Sequence, residues 1–313
     1  MKHLLLILLA GFWLIPVQVL ADEPFIFMPQ WSAQAQFAGY YVAQQKGFYA
    51  EEGIEVKIVH PFSTESAEER IRQGEVDATA LPLVEAMELS DKGIRLVNIL
   101  QTSMNSATML ISRYGGDPLR LGKARVATWR VGYNQLATCL IRTEGLQYEA
   151  VEAANSVNIF VAGAVEACLA MSYNEYNQIL QAGLLQDETG VFRFSDHGYN
   201  IQEDGVYMTR AAWEKKQDQA RRFARASRRG WEWAAAHPEE TLQIIMTYID
   251  QSRIATNRTL QRLMLEEVLR QQLDPDSGER SFRLRPDMVE KAGTMMVRAG
   301  LLQKTVSYED LMP

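Results

Sequence analysis

From residue 25 onward the chain alternates short apolar runs with amphipathic stretches, and from residue 211 to the end only helical spacing is left. A short apolar strand buries both faces only where helices cover its sheet, so the alternation commits the chain to a layered α/β architecture. Runs at 25–28, 54–59, 78–81, 96–100 and 107–112 read as strands. Stretches 37–52, 63–74 and 83–91 read as helices, with Gly53 and Gly93 placed as C-terminal caps and Ser63 or Thr64 as an N-cap.

The cluster Arg113-Tyr114-Gly115-Gly116-Asp117-Pro118 then interrupts the pattern. A second series follows it: strand 125–129, helix 133–143, strands 158–161 and 167–172, helix 174–182, strand 191–194 and an extended segment 205–209. Stretches 221–234, 238–249, 257–271 and 286–299 are amphipathic helices. The spacing predicts two α/β lobes and a helical C-terminal part. Residues 22–112 and 205–313 form one lobe, and 113–204 are inserted as the other, with crossings near 111–113 and 204–209. Open α/β sheets take ligands beyond the carboxyl ends of their strands, so two facing lobes predict a cleft between them.

The first 21 residues read as an export signal. Lys2 and His3 give a positive start, an apolar run follows to Val17, and Val19-Leu20-Ala21 sets cleavage before Asp22. No later run is long and apolar enough to cross a bilayer. At 313 residues the chain has room for two cores, and a net charge of −7 with no basic run excludes nucleic acid as the main partner. Cys139 and Cys168 suit either a disulfide or two buried thiols. His60, His197 and His237 are scattered and there is no Cys-x-x-Cys, so no metal is expected.

Two strand ends carry ligand-reading chemistry. After the first strand, Trp31 brings a flat apolar face, Gln34 and Gln36 bring amides, and Phe37 opens a helix. Trp31 and Phe37 suit a core equally well. In the second lobe, Tyr173-Asn174-Glu175-Tyr176 sets a carboxylate between two phenols at a strand-to-helix turn. Such a carboxylate accepts from a ligand amine while a ring stacks beside it. Asn174 is also placed to cap a helix, with Glu175 as a first-turn charge. Glu203-Asp204-Gly205 is a further acidic turn, readable as a solvated hinge.

These residues resemble a known family. Trp31 with Gln34-Ala35-Gln36-Phe37-Ala38-Gly39-Tyr40-Tyr41, then Lys46-Gly47-Phe48-Tyr49 and Glu52-Gly53-Ile54-Glu55-Val56, is similar to the opening of the thiamine-pyrimidine binding and synthase family. That block is shared with sulfonate-, taurine- and nitrate-binding proteins. Tyr173-Asn174-Glu175-Tyr176 and Glu203-Asp204-Gly205-Val206-Tyr207 extend the likeness, which runs from about Phe25 to the C-terminus. The resemblance implies a type II periplasmic-binding-protein fold and a monomeric periplasmic receptor. It would deliver a thiamine-precursor pyrimidine, or a similar heteroaromatic amine, to an ABC permease without a cofactor. The binding set so implied is Trp31, Phe37, Tyr40, Leu81, Tyr133, Tyr173, Asn174, Glu175, Tyr176 and Glu203.

Fungal members of the family are synthases that use a lysine-bound pyridoxal phosphate, a histidine of their own chain, iron and a cysteine-rich motif. Here Leu81 stands in the lysine's place, Glu85 in the histidine's, and 197–209 contain no Cys. Leucine forms no Schiff base, so binding is expected rather than synthesis. An anion receptor of the sulfonate or nitrate type is the alternative within binding proteins, with Arg130 its basic residue. A ligand-sensing subunit of a membrane signalling protein would share the same fold.

Overall fold

The computed structural model of the protein describes residues 23–61, 66–129, 133–153, 156–185 and 188–313. The export segment, the cap at Ser63 or Thr64, and Arg130 lie outside the described residues. The first lobe opens with β1 (Phe25–Met28), α1 (Ala38–Gln45), α2 (Phe48–Glu51), β2 (Val56–Ile58), α3 (Ala67–Arg72), β3 (Ala78–Pro82), α4 (Leu83–Asp91) and β4 (Leu96–Gln101). The second is built from β5 (Thr108–Ser112), β6 (Ala124–Trp129), α5 (Asn134–Glu144), β7 (Tyr148–Ala153), α6 (Asn158–Val161), β8 (Ala167–Met171), α7 (Glu175–Gln181) and β9 (Val191–Arg193). The chain then returns through β10 (Asp204–Thr209) and closes with α8 (Arg210–Ala236), α9 (Pro238–Gln251), α10 (Arg258–Gln271) and α11 (Pro286–Arg298).

Two five-stranded sheets result, ordered β2-β1-β3-β10-β4 and β7-β6-β8-β5-β9. In each, one strand runs against its neighbours: β10 is antiparallel to β3 and β4, and β5 to β8 and β9. Helices cover the sheets, as the wholly buried β3, β5 and β8 require. This is the expected α/β, two-lobed architecture.

The strand at 108–112 corrects the expected crossing. It pairs with β8 from Thr108↔Met171 to Ser112↔Ala167 and so belongs to the second sheet. The first crossing therefore falls between Gln101 and Thr108, not near 111–113, and the Gly115-Gly116 turn lies inside the second lobe. A turn cluster marks a reversal of direction, and here the reversal stays within one sheet.

Other boundaries moved for local reasons. The helix expected over 37–52 is split at Gly47, whose φ of 75° is left-handed and starts a fresh turn. Residues 158–161, expected as a strand, form α6, because a four-residue apolar run carries no period of its own. The strand at that edge is β7, an alternating and mostly exposed segment parallel to β6. Helix α8 starts at Arg210, next to the expected onset of helical spacing at 211, because Thr209 Oγ1 accepts the Ala212 amide at 3.1 Å and caps it.

Helix α8 braces the first lobe from behind. A Cβ on Gly39 would lie 2.2 Å from the Trp231 ring, and one on Gly230 2.0 Å from the Gly39 carbonyl, so only glycine lets α1 and α8 touch. Helix α11 packs on both α4 and α5 and so spans the two lobes. Cys139 and Cys168 are buried free thiols, which answers the disulfide question. No helix among the described residues is long and apolar enough to cross a membrane.

Candidate functional site

The carboxyl ends of β1, β6 and β8 meet between the lobes and line a narrow cavity of about 20 Å³, room for little more than a water molecule. From the first lobe come Trp31, Gln34 and Gln36; from the second come Trp129, Tyr133, Met171, Tyr173, Asn174 and Glu175. Aromatic faces therefore rise from both sides, and the polar groups are amides and one carboxyl. Among the described lining residues there is no Lys, Arg, His, Cys or Ser.

Tyr133 ties the lobes together. It sits at φ 59°, a left-handed conformation that a side chain seldom adopts, directly ahead of α5. Its hydroxyl reaches the first lobe, where it receives Gln30 Nε2 at 2.5 Å and Gln36 Nε2 at 3.3 Å. Gln36 also donates to Asp204 Oδ2 at 2.6 Å and accepts from Gln34 Nε2 at 2.6 Å. Burial pushes the Asp204 carboxyl up to about 7, against the pull of the Gln36 amide and with some help from the Glu203 charge. Asp204 Oδ1 has no hydrogen-bond partner among the described residues.

Glu175 is held from inside its own lobe. Oε2 accepts the Met171 amide at 2.9 Å, while Oε1 accepts Trp129 Nε1 at 3.2 Å and Asn174 Nδ2 at 3.1 Å. Burial raises its pKa and those donors oppose the rise. The carboxyl thus has a fixed direction and little spare accepting capacity.

Of the residues named from sequence, the fold brings Trp31, Tyr133, Tyr173, Asn174 and Glu175 to the cavity. Asn174 precedes α7 but makes no side-chain cap. Phe37 and Tyr40 are buried in the first lobe, Tyr40 against Phe27, Phe223 and Trp231. Leu81 is sealed in β3 opposite Gly205. Tyr176 turns outward and donates to Glu188 under the Arg193 guanidinium.

Glu203 is buried, which corrects the reading of its turn as a solvated hinge; it does not line the cavity and acts as a structural staple. Its carboxylate accepts from Ser106 Oγ at 2.5 Å, Thr108 Oγ1 at 2.6 Å and the Ala107 amide at 2.9 Å. Sequence reasoning did not name Gln30, Trp129, Met171 or Asp204 as site residues. Trp129 ends a readable strand, and that position was the available signal. Asp204 lies in the acidic turn, next to Glu203.

Comparison with known proteins adds four findings. Residues 34–241 match the family model described as NMT1/THI5 like. A formylaminopyrimidine-binding protein of Halalkalibacterium halodurans is 22% identical over 262 residues, covering 80% of this chain and 78% of that protein. The riboflavin-binding protein RibY of Chloroflexus aurantiacus is 26% identical over 253 residues, covering 75% of this chain and 68% of that protein. Among solved structures, the periplasmic aliphatic sulphonate binding protein SsuA from Escherichia coli superposes with a TM-score of 0.62 at 14% identity, covering 93% of this chain and 92% of that one. That likeness shows a shared fold.

Proposed function

Because the chain belongs to the NMT1/THI5-like family, we propose that it is the substrate-binding protein of an ABC importer whose ligand is a pyrimidine or a similarly small heteroaromatic amine. One observation carries the reading: a narrow cavity between the lobes has aromatic walls from both sides and an amide-and-carboxyl edge. Flat rings gain from stacking between such walls, and amides read ring nitrogens and exocyclic amines, while the Glu175 carboxyl holds Trp129 and Asn174 in place. The relative named for formylaminopyrimidine supports a monocyclic ligand. An anion receptor would draw on a cation beside helix N-termini; the described lining has the starts of α5 and α7 but neither Arg nor Lys, and the Glu175 carboxyl stands at one of those starts.

Synthase chemistry finds no support at the positions the family would use. Leu81 is sealed in the sheet and has no amine to hold pyridoxal phosphate. Glu85 is buried, and burial pushes its carboxyl up to about 8. On this reading the chain is a monomer, exported with cleavage after Ala21, that hands its ligand to a membrane permease. Mass spectrometry of the secreted protein tests the export step by looking for a mature chain starting at Asp22.

The binding test is titration calorimetry and thermal shift with formylaminopyrimidine, riboflavin, an alkanesulfonate and nitrate. A ligand at about 100 times its Kd stabilises the native state by ~2.7 kcal/mol. The pyrimidine should raise the melting temperature and the anions should not. A shift with sulfonate or nitrate alone would overturn the proposal.

A further inference from the structure

Trp31 stands in a run of bends between β1 and α1, where no regular hydrogen-bond ladder holds the backbone. Two side chains from distant parts of the lobe hold it instead. On one side, Gln261 of α10 accepts the Ala35 amide at 2.8 Å and is itself buried. On the other, the ring of His60, just beyond β2, meets the Trp31 carbonyl through Nδ1 at 2.7 Å and Tyr41 Oη through Nε2 at 2.8 Å. The same imidazole packs against Phe37 and Tyr41, with ring centroids 5.5 Å and 5.8 Å away.

A carbonyl only accepts, so Nδ1 must carry the proton. Nε2 is then the acceptor for Tyr41, and the neutral ring satisfies both contacts in one tautomer. Burial keeps the imidazole below its usual pKa, which favours that neutral form. Tyr41 is stacked on Tyr248 of α9 at 4.2 Å, so the clamp is anchored in the helical part.

We infer that His60 is a positioning residue for ligand binding: it clamps the backbone at Trp31 so that the indole stands as a preformed wall of the cleft. The inference rests on the reading that the cavity takes a flat ring. His60 itself does not line the cavity. Its contribution is preorganisation, since an indole already in place need not be ordered when the ligand arrives.

Two replacements of similar polarity separate this role from simple core packing. In His60→Asn, the amide nitrogen lies near the position of Nδ1 and keeps the donor to Trp31. In His60→Gln, the amide lies near the position of Nε2, so the Tyr41 contact survives and the Trp31 contact is lost. The Trp31 indole N–H resonance, assigned by its disappearance in Trp31→Phe, reports the wall directly without ligand. It should stay sharp and unshifted in His60→Asn, and should shift or broaden in His60→Gln. The affinity for formylaminopyrimidine should follow, near wild type in the first and about tenfold weaker in the second. Identical Trp31 resonances in wild type, His60→Asn and His60→Gln would overturn the inference. If no ring compound bound the wild-type protein, the proposed function would fall while the indole resonance still decided the clamp.

Discussion

At Asp204 a carboxyl is buried behind the cleft with one oxygen bonded to Gln36 and the other unpartnered among the described residues. Its pKa is raised from 3.8 to about 7, chiefly by burial. Between those values the folded chain keeps a proton that the unfolded chain has lost. Stability from this group therefore falls as pH rises through that window, and the penalty is fully present above about 7. Each tenfold change in the acid constant corresponds to ~1.4 kcal/mol. Asp204→Asn keeps an acceptor for Gln36 and has no proton to lose. It should be more stable than wild type at pH 8 and show a flatter dependence of melting temperature on pH between 5 and 8. Parallel curves for the two proteins would refute this account. Glu85, pushed up to about 8, leaves a slope of the same sign in the variant. Trp31 belongs to the same scale: base–aromatic stacking is worth ~1–3 kcal/mol by alanine substitution. Trp31→Ala should weaken the pyrimidine at least about tenfold in calorimetry with little change in melting temperature, and an unchanged Kd would make Trp31 a core residue only.

Helix α5 shows how an element delivers a side chain to a site. The left-handed Tyr133 turns the chain into α5 and points the phenol across to Gln30 and Gln36. A non-glycine residue held there costs ~1–3 kcal/mol and persists only where its surroundings impose it. Tyr133→Phe keeps the ring and the turn but removes both cross-lobe hydrogen bonds. The closed form should open more readily, with the ligand leaving roughly tenfold faster in stopped-flow measurements. Equal dissociation rates would show that the hydroxyl does not latch the lobes. Elements of this kind were partly legible beforehand. The bounds of β1 and α4 followed from apolar runs closed by polar or turn residues, and the Trp31 and Tyr173–Glu175 segments from their place after strands. Pairing partners were not legible, because nothing in 107–112 says which sheet will take it. Nor was the fate of Glu203, whose three donors lie about a hundred residues away in sequence.

Across the whole molecule, the lobes are joined where residues 102–107 run beside 194–203, and Glu203 laces these segments together. Its amide donates to Ser103 Oγ at 2.9 Å while its carboxylate gathers Ser106, Ala107 and Thr108 at the entrance to β5. Burial raises the Glu203 pKa, and the gathered donors oppose the rise. Further ties cross between the lobes away from this crossing: Ser172 to Glu267 at 2.7 Å, Gln135 to Glu88 at 2.8 Å, and Arg142 to the Ala299 carbonyl at 2.7 Å. These ties bind the outer parts of the lobes, whereas Glu203 fixes the crossing about which they would hinge. Removing its carboxylate strands three donors in a dry place, and hydrogen bonds to a charged group contribute ~1.5–3 kcal/mol each. Glu203→Ala should therefore lose ~3 kcal/mol or more in urea unfolding. Glu203→Gln, which keeps one acceptor but turns an amide toward the donors, should fall between. Amide hydrogen exchange locates the effect: exchange at 103–108 and at the start of β10 should quicken, while the far edge at β7 keeps wild-type rates. If Glu203→Ala unfolded at the wild-type urea concentration with unchanged exchange at the crossing, the staple would carry no weight, and the lobes would be held together by α11, the Tyr133 hydroxyl and the peripheral ties.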